Sequence, residues 1–170
     1  MHRKLNAILV ASIIALQMGC ADSIRRLSLE VVRSHDLVLT MKRTECYGTC
    51  PVYEVSIDDA GNVTFNGIKH TKTIGKAAGK ISSGDIDQLV SALNAASFYK
   101  LSQNYDQNTC PEFATDMSTV VISLKLNGLI KTVNHNLGCS TKGDHKPYPP
   151  GLAELEKKID ETARTSQWIK

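Results

Sequence analysis

The sequence predicts an α+β domain, an antiparallel sheet of about five or six strands with two helices packed on one face. Three observations lead there. Apolar and polar residues alternate in several short runs, the period of a half-buried strand. Two other stretches repeat their apolar residues at three and four positions, the period of a helix facing a core. The order along the chain is strands, helix, hairpin, helix, which favours helices gathered on one side of an antiparallel sheet over a parallel βαβ arrangement.

Residues 1–19 read as a secretory signal. His2, Arg3 and Lys4 form a positive start, and the apolar stretch 5–16 is too short to span a bilayer comfortably. Gly19-Cys20 directly after it resembles a bacterial lipobox, in which Cys20 would carry lipid and become the mature N-terminus. Gln17 stands where that signal usually has an aliphatic residue, and Gly19-x-Ala21 offers ordinary secretion as the alternative. Either route exports the domain, and a lipid on Cys20 would place it in the cell envelope, facing the periplasm with the membrane as partner. Residues 20–36 are polar and mixed and read as a tether or short helix. Residues 37–170 then form a single domain.

Leu37, Leu39 and Met41 mark a first strand. A corner, Cys46-Tyr47-Gly48-Thr49-Cys50-Pro51, separates it from a second, in which Tyr53, Val55 and Ile57 share a face. The turn 58–62 returns through a third strand at 63–65. Asn66-Gly67 reads as another turn, 69–74 as a fourth strand and 75–80, with two glycines, as loop. Ser82 and Asp85 have the spacing of a capping box. Ile86, Leu89, Val90 and Leu93 form the core stripe of a helix ending near Ala96, with Phe98 and Leu101 continuing the apolar contact. Residues 103–116 are irregular and hold Cys110. Val120, Ile122, Leu124 and Leu126 alternate up to Asn127-Gly128, a strong hairpin turn, and 129–135 returns. Gly138-Cys139 ends the hairpin, and 142–150 is a polar, proline-containing loop. Leu152, Leu155, Ile159 and Ala163 mark a second helix, whose tail Trp168 would dock into the core.

Export gives the cysteines their meaning. The chain has five; with Cys20 set aside, Cys46, Cys50, Cys110 and Cys139 form an even set in an oxidising compartment. Of the possible pairings, Cys46–Cys50 with Cys110–Cys139 is the local one, and a four-thiolate zinc site is the rival. The C-x3-C-P corner has three readings. It is a small disulfide loop between strands, a soft-metal site resembling the copper motif of the cytochrome-oxidase assembly proteins, or a redox dithiol. The last two meet one objection. The residues after Pro51 read as strand, so a helix N-terminus is not available to stabilise a thiolate.

The formal charge of +3 falls to about +1 once Arg3 and Lys4 leave with the signal, which argues against a nucleic-acid surface. The sequence contains no G-x-S-x-G, P-loop or H-E-x-x-H pattern, and it is read as non-enzymatic, with no cofactor or metal. His35, His70, His135 and His145 are scattered. His135, four residues before Cys139, has a metal-compatible spacing but reads as an exposed strand end. Asp58, Asp59 and Asp106 read as turn residues.

C-Y-G-T-C-P-V-Y at 46–53, the hairpin 57–65, the Phe98, Leu101, Tyr105 run, Thr115-Asp116, and Leu152, Leu155, Ile159-Asp160 and Trp168 together resemble a bacterial family of secreted or lipid-anchored domains of unknown function. Its signature is an opening C-x-G-x-C-P-x-Y and an Ile-Asp…Trp ending. The resemblance covers about residues 37–168 and implies a single α+β domain in the envelope. It carries no established activity, so no catalytic residue transfers. Asp116 sits at a matched position and is read as bonding backbone at the start of a strand. The leading expectation is a lipid-anchored binding or structural module; the alternative is a copper-binding or thiol-redox accessory protein using Cys46 and Cys50.

Overall fold

The computed structural model describes residues 36–140 and 149–170. The expected signal, the tether except Asp36, Cys20, His35, His145 and most of the 142–150 loop lie outside the described residues. Four strands come first: β1 (Val38–Arg43), β2 (Val52–Asp58), β3 (Asn62–Lys69) and β4 (Gly75–Lys80). Helix α1 (Ser83–Ala95) follows, then a 3-10 turn (Phe98–Lys100). The short β5 (Asn104–Tyr105) and β6 (Glu112–Phe113) precede the long hairpin β7 (Thr119–Leu126) and β8 (Leu129–Asn136). The described chain closes with β9 (Cys139–Ser140), α2 (Pro150–Ala163) and α3 (Ser166–Ile169).

Seven strands form one sheet in the order β4-β3-β2-β1-β7-β8-β5, and β6 pairs with β9 in a separate two-stranded sheet. Neighbours in the large sheet are antiparallel except β5, which lies parallel to β8. Alternation decides which side chains go inward. Leu39, Met41, Val55, Ile57, Val63, Phe65, Val120, Ile122, Leu124 and Val133 join Leu89 and Leu93 of α1 and Leu152, Leu155 and Ile159 of α2 in one buried cluster. The residues between them, such as Thr40, Ser56, Ser123 and Thr132, form the other face and bond each other across strands.

Local chemistry sets the boundaries. Ser82 caps α1: its hydroxyl accepts from the Asp85 N–H at 3.2 Å while the Asp85 carboxylate accepts from the Ser82 N–H at 2.9 Å. The Ser82 hydroxyl, which also donates to that carboxylate at 2.8 Å, and then the Ser82 N–H hold the Asp85 carboxyl below its ordinary value. Asn127 and Gly128 both have positive φ, 52° and 75°, the geometry a two-residue hairpin turn requires. The Asp36 carboxylate accepts the N–H groups of both turn residues. Trp168 does dock in the core, stacked on Phe65 with ring centroids 4.9 Å apart.

The structure corrects the strand reading at several points. The large sheet has seven strands, not five or six, and is mixed, not antiparallel. Three helices are described rather than two. Asn66-Gly67 lies inside β3, and the expected strand 69–74 is largely the turn between β3 and β4. The expected loop 75–80 is strand β4. Its sequence, Gly-Lys-Ala-Ala-Gly-Lys, has poor strand propensity, but small residues are what the place admits. A Cβ on Gly79 would sit 3.2 Å from the Trp168 ring, so the tryptophan lies where β4 lacks side-chain bulk. Residues 103–116, read as irregular, contain the two-residue strands β5 and β6, too short for any periodicity to reveal.

Gly67 shows the tightest fit in this region. A Cβ there would fall 1.9 Å from the Thr73 carbonyl oxygen, a backbone atom. Gly67→Ala is therefore expected to destabilise the domain by at least about 2 kcal/mol. Gly84, in the first turn of α1, has only the Ser82 hydroxyl near its missing Cβ, at 3.7 Å. Gly84→Ala should leave stability unchanged or raise it by up to about 1 kcal/mol. Urea unfolding of the two variants checks both, and equal effects would contradict the assigned register.

Candidate functional site

The inward alternation of β1 runs Leu39, Met41, Arg43, so the strand delivers a cation to the edge of an apolar core. Arg43 is met there by Tyr53 from β2, its partner in the register, and by Asp160 from α2. The Tyr53 hydroxyl donates to Asp160 Oδ1 at 2.6 Å, and Thr165 Oγ1 donates to the same oxygen at 2.9 Å. Arg43 Nη2 donates to Oδ2 at 2.9 Å. Arg43 Nε donates to the Tyr53 hydroxyl at 2.9 Å. Both Asp160 oxygens are thus engaged, and the carboxylate joins two strands, a helix and the turn after it.

The electrostatics follow from this packing. Burial works against the charge on Arg43, but the Asp160 carboxylate beside it prevails and holds the guanidinium above its ordinary value. Burial, and then the Asp160 charge, push the Tyr53 hydroxyl well above the ordinary tyrosine range. This is the chemistry of a clamp. An aspartate committed on both oxygens is poorly placed to serve as a base, and a tyrosine held neutral is a donor and not a nucleophile.

The cysteine corner lies just beyond. Cys46 and Cys50 form a disulfide with Cα atoms 5.8 Å apart. The loop they close is tied down twice. The Tyr47 N–H donates to the Asp116 carbonyl at 2.8 Å, and the preceding Thr44 carbonyl accepts from Ser118 Oγ at 2.7 Å. Tyr47 itself is 92% exposed. Pro51 leads into β2, a strand as expected. Cys110 and Cys139 form the second disulfide, so both local pairings hold.

Other residues singled out from the sequence fall differently. His135 is not an exposed strand end. It lies 2% exposed on the inner face of β8, its Nδ1 2.6 Å from Glu156 Oε1 of α2 and its ring edge-on to Tyr105. Among the described residues the Asp116 carboxylate accepts from Thr115 Oγ1 and not from backbone; the Asp116 carbonyl holds the cysteine loop, at a positive Asp116 φ of 65°. Asp58 is a turn residue, accepting from the Asn62 N–H at 2.8 Å, and Asp106 likewise accepts from the Asn108 N–H. Among the described residues, no group of three or more His, Cys, Asp or Glu is placed to hold a metal. A cleft of about 280 Å³ opens beside the end of α1, lined by Leu93, Phe98, Leu124 and Leu126 with Asn94 and Lys100.

Arg43, Glu156 and the role of Tyr53 escape a motif search. Parity would have found two of them. Arg43 continues the inward series 39, 41, and Glu156 falls on the Leu152, Leu155, Ile159 face of its helix. A charged residue on an inward position needs a partner across the core.

The model of a domain of unknown function, DUF6438, matches residues 37–163. The chain belongs to the DUF6438 family. No curated protein matches it. The DUF6438 region takes in Arg43, Tyr53, Asp160, His135, Glu156 and all four bridged cysteines. Trp168, which stacks on Phe65 next to Tyr53, lies five residues beyond it. Among the described residues, no helix is long and apolar enough to cross a membrane.

Two predictions follow from the junction and the bridges. Tyr53→Phe removes the hydrogen bond donated to Asp160 and the one accepted from Arg43 Nε, and should cost at least about 1.5 kcal/mol at neutral pH. Because the folded-state pKa of Tyr53 is raised, its contribution is fully present below the unfolded tyrosine value of about 10 and is lost as pH rises above it. The gap between wild type and variant should therefore narrow in alkali, as denaturation between about pH 8 and pH 11 will measure. Removing the Cys110–Cys139 bridge, which closes the larger loop, should cost about 3–4 kcal/mol against at most about 2 for Cys46–Cys50. Thermal unfolding of the two double-serine variants decides the order.

Proposed function

We propose that this DUF6438 protein is an exported, non-enzymatic module of the bacterial cell envelope. It is held at the membrane by a lipid on Cys20, faces the periplasm, and acts by binding or as a structural element. The observation that carries the reading is the cysteine accounting. Four of the five cysteines are joined in two disulfides within one domain, which suits an oxidising compartment. The fifth, Cys20, is separated by three residues from the end of an apolar stretch headed by Arg3 and Lys4, where a lipid-modification signal belongs.

The non-enzymatic part draws on how the polar core groups are used. Asp160 is consumed by Tyr53, Thr165 and Arg43, and His135 faces Glu156 inside the core. These are ties between elements. The copper- or thiol-handling alternative would require the Cys46–Cys50 bridge to open and supply thiolates.

Labelling cells with a fatty-acid analogue should mark the wild-type chain and leave Cys20→Ser unmarked. Equal labelling of both, or a mature N-terminus at Asp22, would replace lipid anchoring with ordinary secretion. Free thiols at Cys46, Cys50, Cys110 and Cys139 in protein from intact cells would remove the export argument itself.

A further inference from the structure

The edge of the large sheet formed by β3 and β4 has an unusual composition. From residue 60 to residue 84 there is no acid, while Lys69, Lys72, Lys76 and Lys80 and the neighbouring His70 all lie in this stretch. Alternation along β3 sends Val63, Phe65 and Gly67 into the core and leaves Asn62, Thr64, Asn66 and Ile68 on the open face. Lys76 and Lys80 project on that face from β4, opposite Asn66 and Asn62, and Lys80 Nζ donates to Asn62 Oδ1 at 2.8 Å. Gly67 pairs with Gly75, so Ile68 and Ile74 flank that rung at the tip of the hairpin. They are 47% and 65% exposed.

The tip is held in place. Its Thr73 N–H donates to the Trp168 carbonyl at 2.9 Å, and Thr71 Oγ1 donates to the Thr73 carbonyl at 2.8 Å. The acids near the hairpin are few. Glu45 pairs with Lys69 at 3.3 Å, Glu54 of β2 stands between Lys42 and Asn66 in the register, and at the far end Asp58 lies beside Lys80, both bonded to the Asn62 side chain. Lysines alone would be explained as guards that keep an edge strand from pairing with another chain. That account leaves out the two isoleucines exposed among them.

We propose that this β3–β4 edge is a docking surface for a membrane bearing anionic phospholipids, with Ile68 and Ile74 meeting the acyl boundary and Lys72, Lys76 and Lys80 the phosphates. Cations flanking a small apolar pair fit the headgroup layer, where each lysine gains from the negative surface potential and the apolar side chains leave water. The inference rests on the membrane-anchored reading for its setting and adds an orientation to it. The domain would lie with the open end of its sheet against the bilayer, not dangle from the tether.

The test is lysine acetylation footprinting of the full chain reconstituted in vesicles of phosphatidylcholine alone or mixed with phosphatidylglycerol. Lys72 and Lys76 should lose reactivity several-fold only in the anionic vesicles, while Lys157, 77% exposed on α2, keeps its reactivity in both. Equal reactivity of Lys72 and Lys76 in the two compositions overturns the proposal. So does the same protection by inorganic phosphate in detergent, which would mark a small-anion site instead. Flotation of Cys20→Ser with and without Lys72→Glu and Lys76→Glu separates the two ideas. Wild type failing to float with phosphatidylcholine vesicles would remove the lipid anchor. Retention of Cys20→Ser on anionic vesicles that survives both charge reversals would remove the hairpin surface.

Discussion

Asp160 carries a negative charge into the edge of a hydrophobic core, and a charge in that position must be met from every side. Arg43, Tyr53 and Thr165 meet it, from β1, β2 and the turn after α2. Apolar contacts between a helix and a sheet tolerate sliding; a carboxylate with three directional partners does not. The clamp therefore selects one placement of α2 among many with similar buried area. The rest of the C-terminal segment follows from it. Trp168 comes to rest on Phe65, which stacks in turn on Tyr53, and the ring lies over β4 where Gly79 has no side chain.

A second tie works the other half of the sheet. His135 of β8 and Glu156 of α2 meet in the interior, about one turn of helix before Asp160, so α2 is tied to the sheet at two successive turns. The segment between β5 and β7 places no fully buried apolar side chain in the core. The Cys110–Cys139 bridge attaches it to the chain just past β8, and β6 pairs with β9 beside that bridge. The domain thus has one face committed to packing and ties, and another left to solvent or to a partner. The Cys46–Cys50 loop, the β3–β4 tip and the start of β8 carry exposed apolar side chains, Tyr47 from the first, Ile74 from the second and Ile130 from the third.

Much of this was legible locally. The capping box at Ser82 and Asp85, the turn at Asn127-Gly128 and the inward series of β1, β2 and β7 depend on neighbours a few residues apart, and the structure has them as read. The two disulfides were legible for a similar reason, since the local pairing closes the smallest loops. What was misread depends on distant contacts. Residues 75–80 look like loop because glycine and alanine do not favour strands, yet they pair along β3 under Trp168, about ninety residues away. His135 looks exposed among asparagines because its partner Glu156 is a helix away.

The sequence by itself determined the α+β class, the core alternation and the cap of α1, and it favoured the local cysteine pairing, because each is set by period, spacing or turn chemistry within a short span. It also contained both ends of the junction, Tyr53 after the C-x3-C-P corner and Asp160 near the close of α2, without any sign that they touch. Only the tertiary structure decided that they share a proton-donor bond, that Arg43 and Thr165 complete the set, and that β4 belongs to the sheet. Those outcomes come from charge and shape matched across more than a hundred residues, and a one-dimensional pattern has no term for such a match.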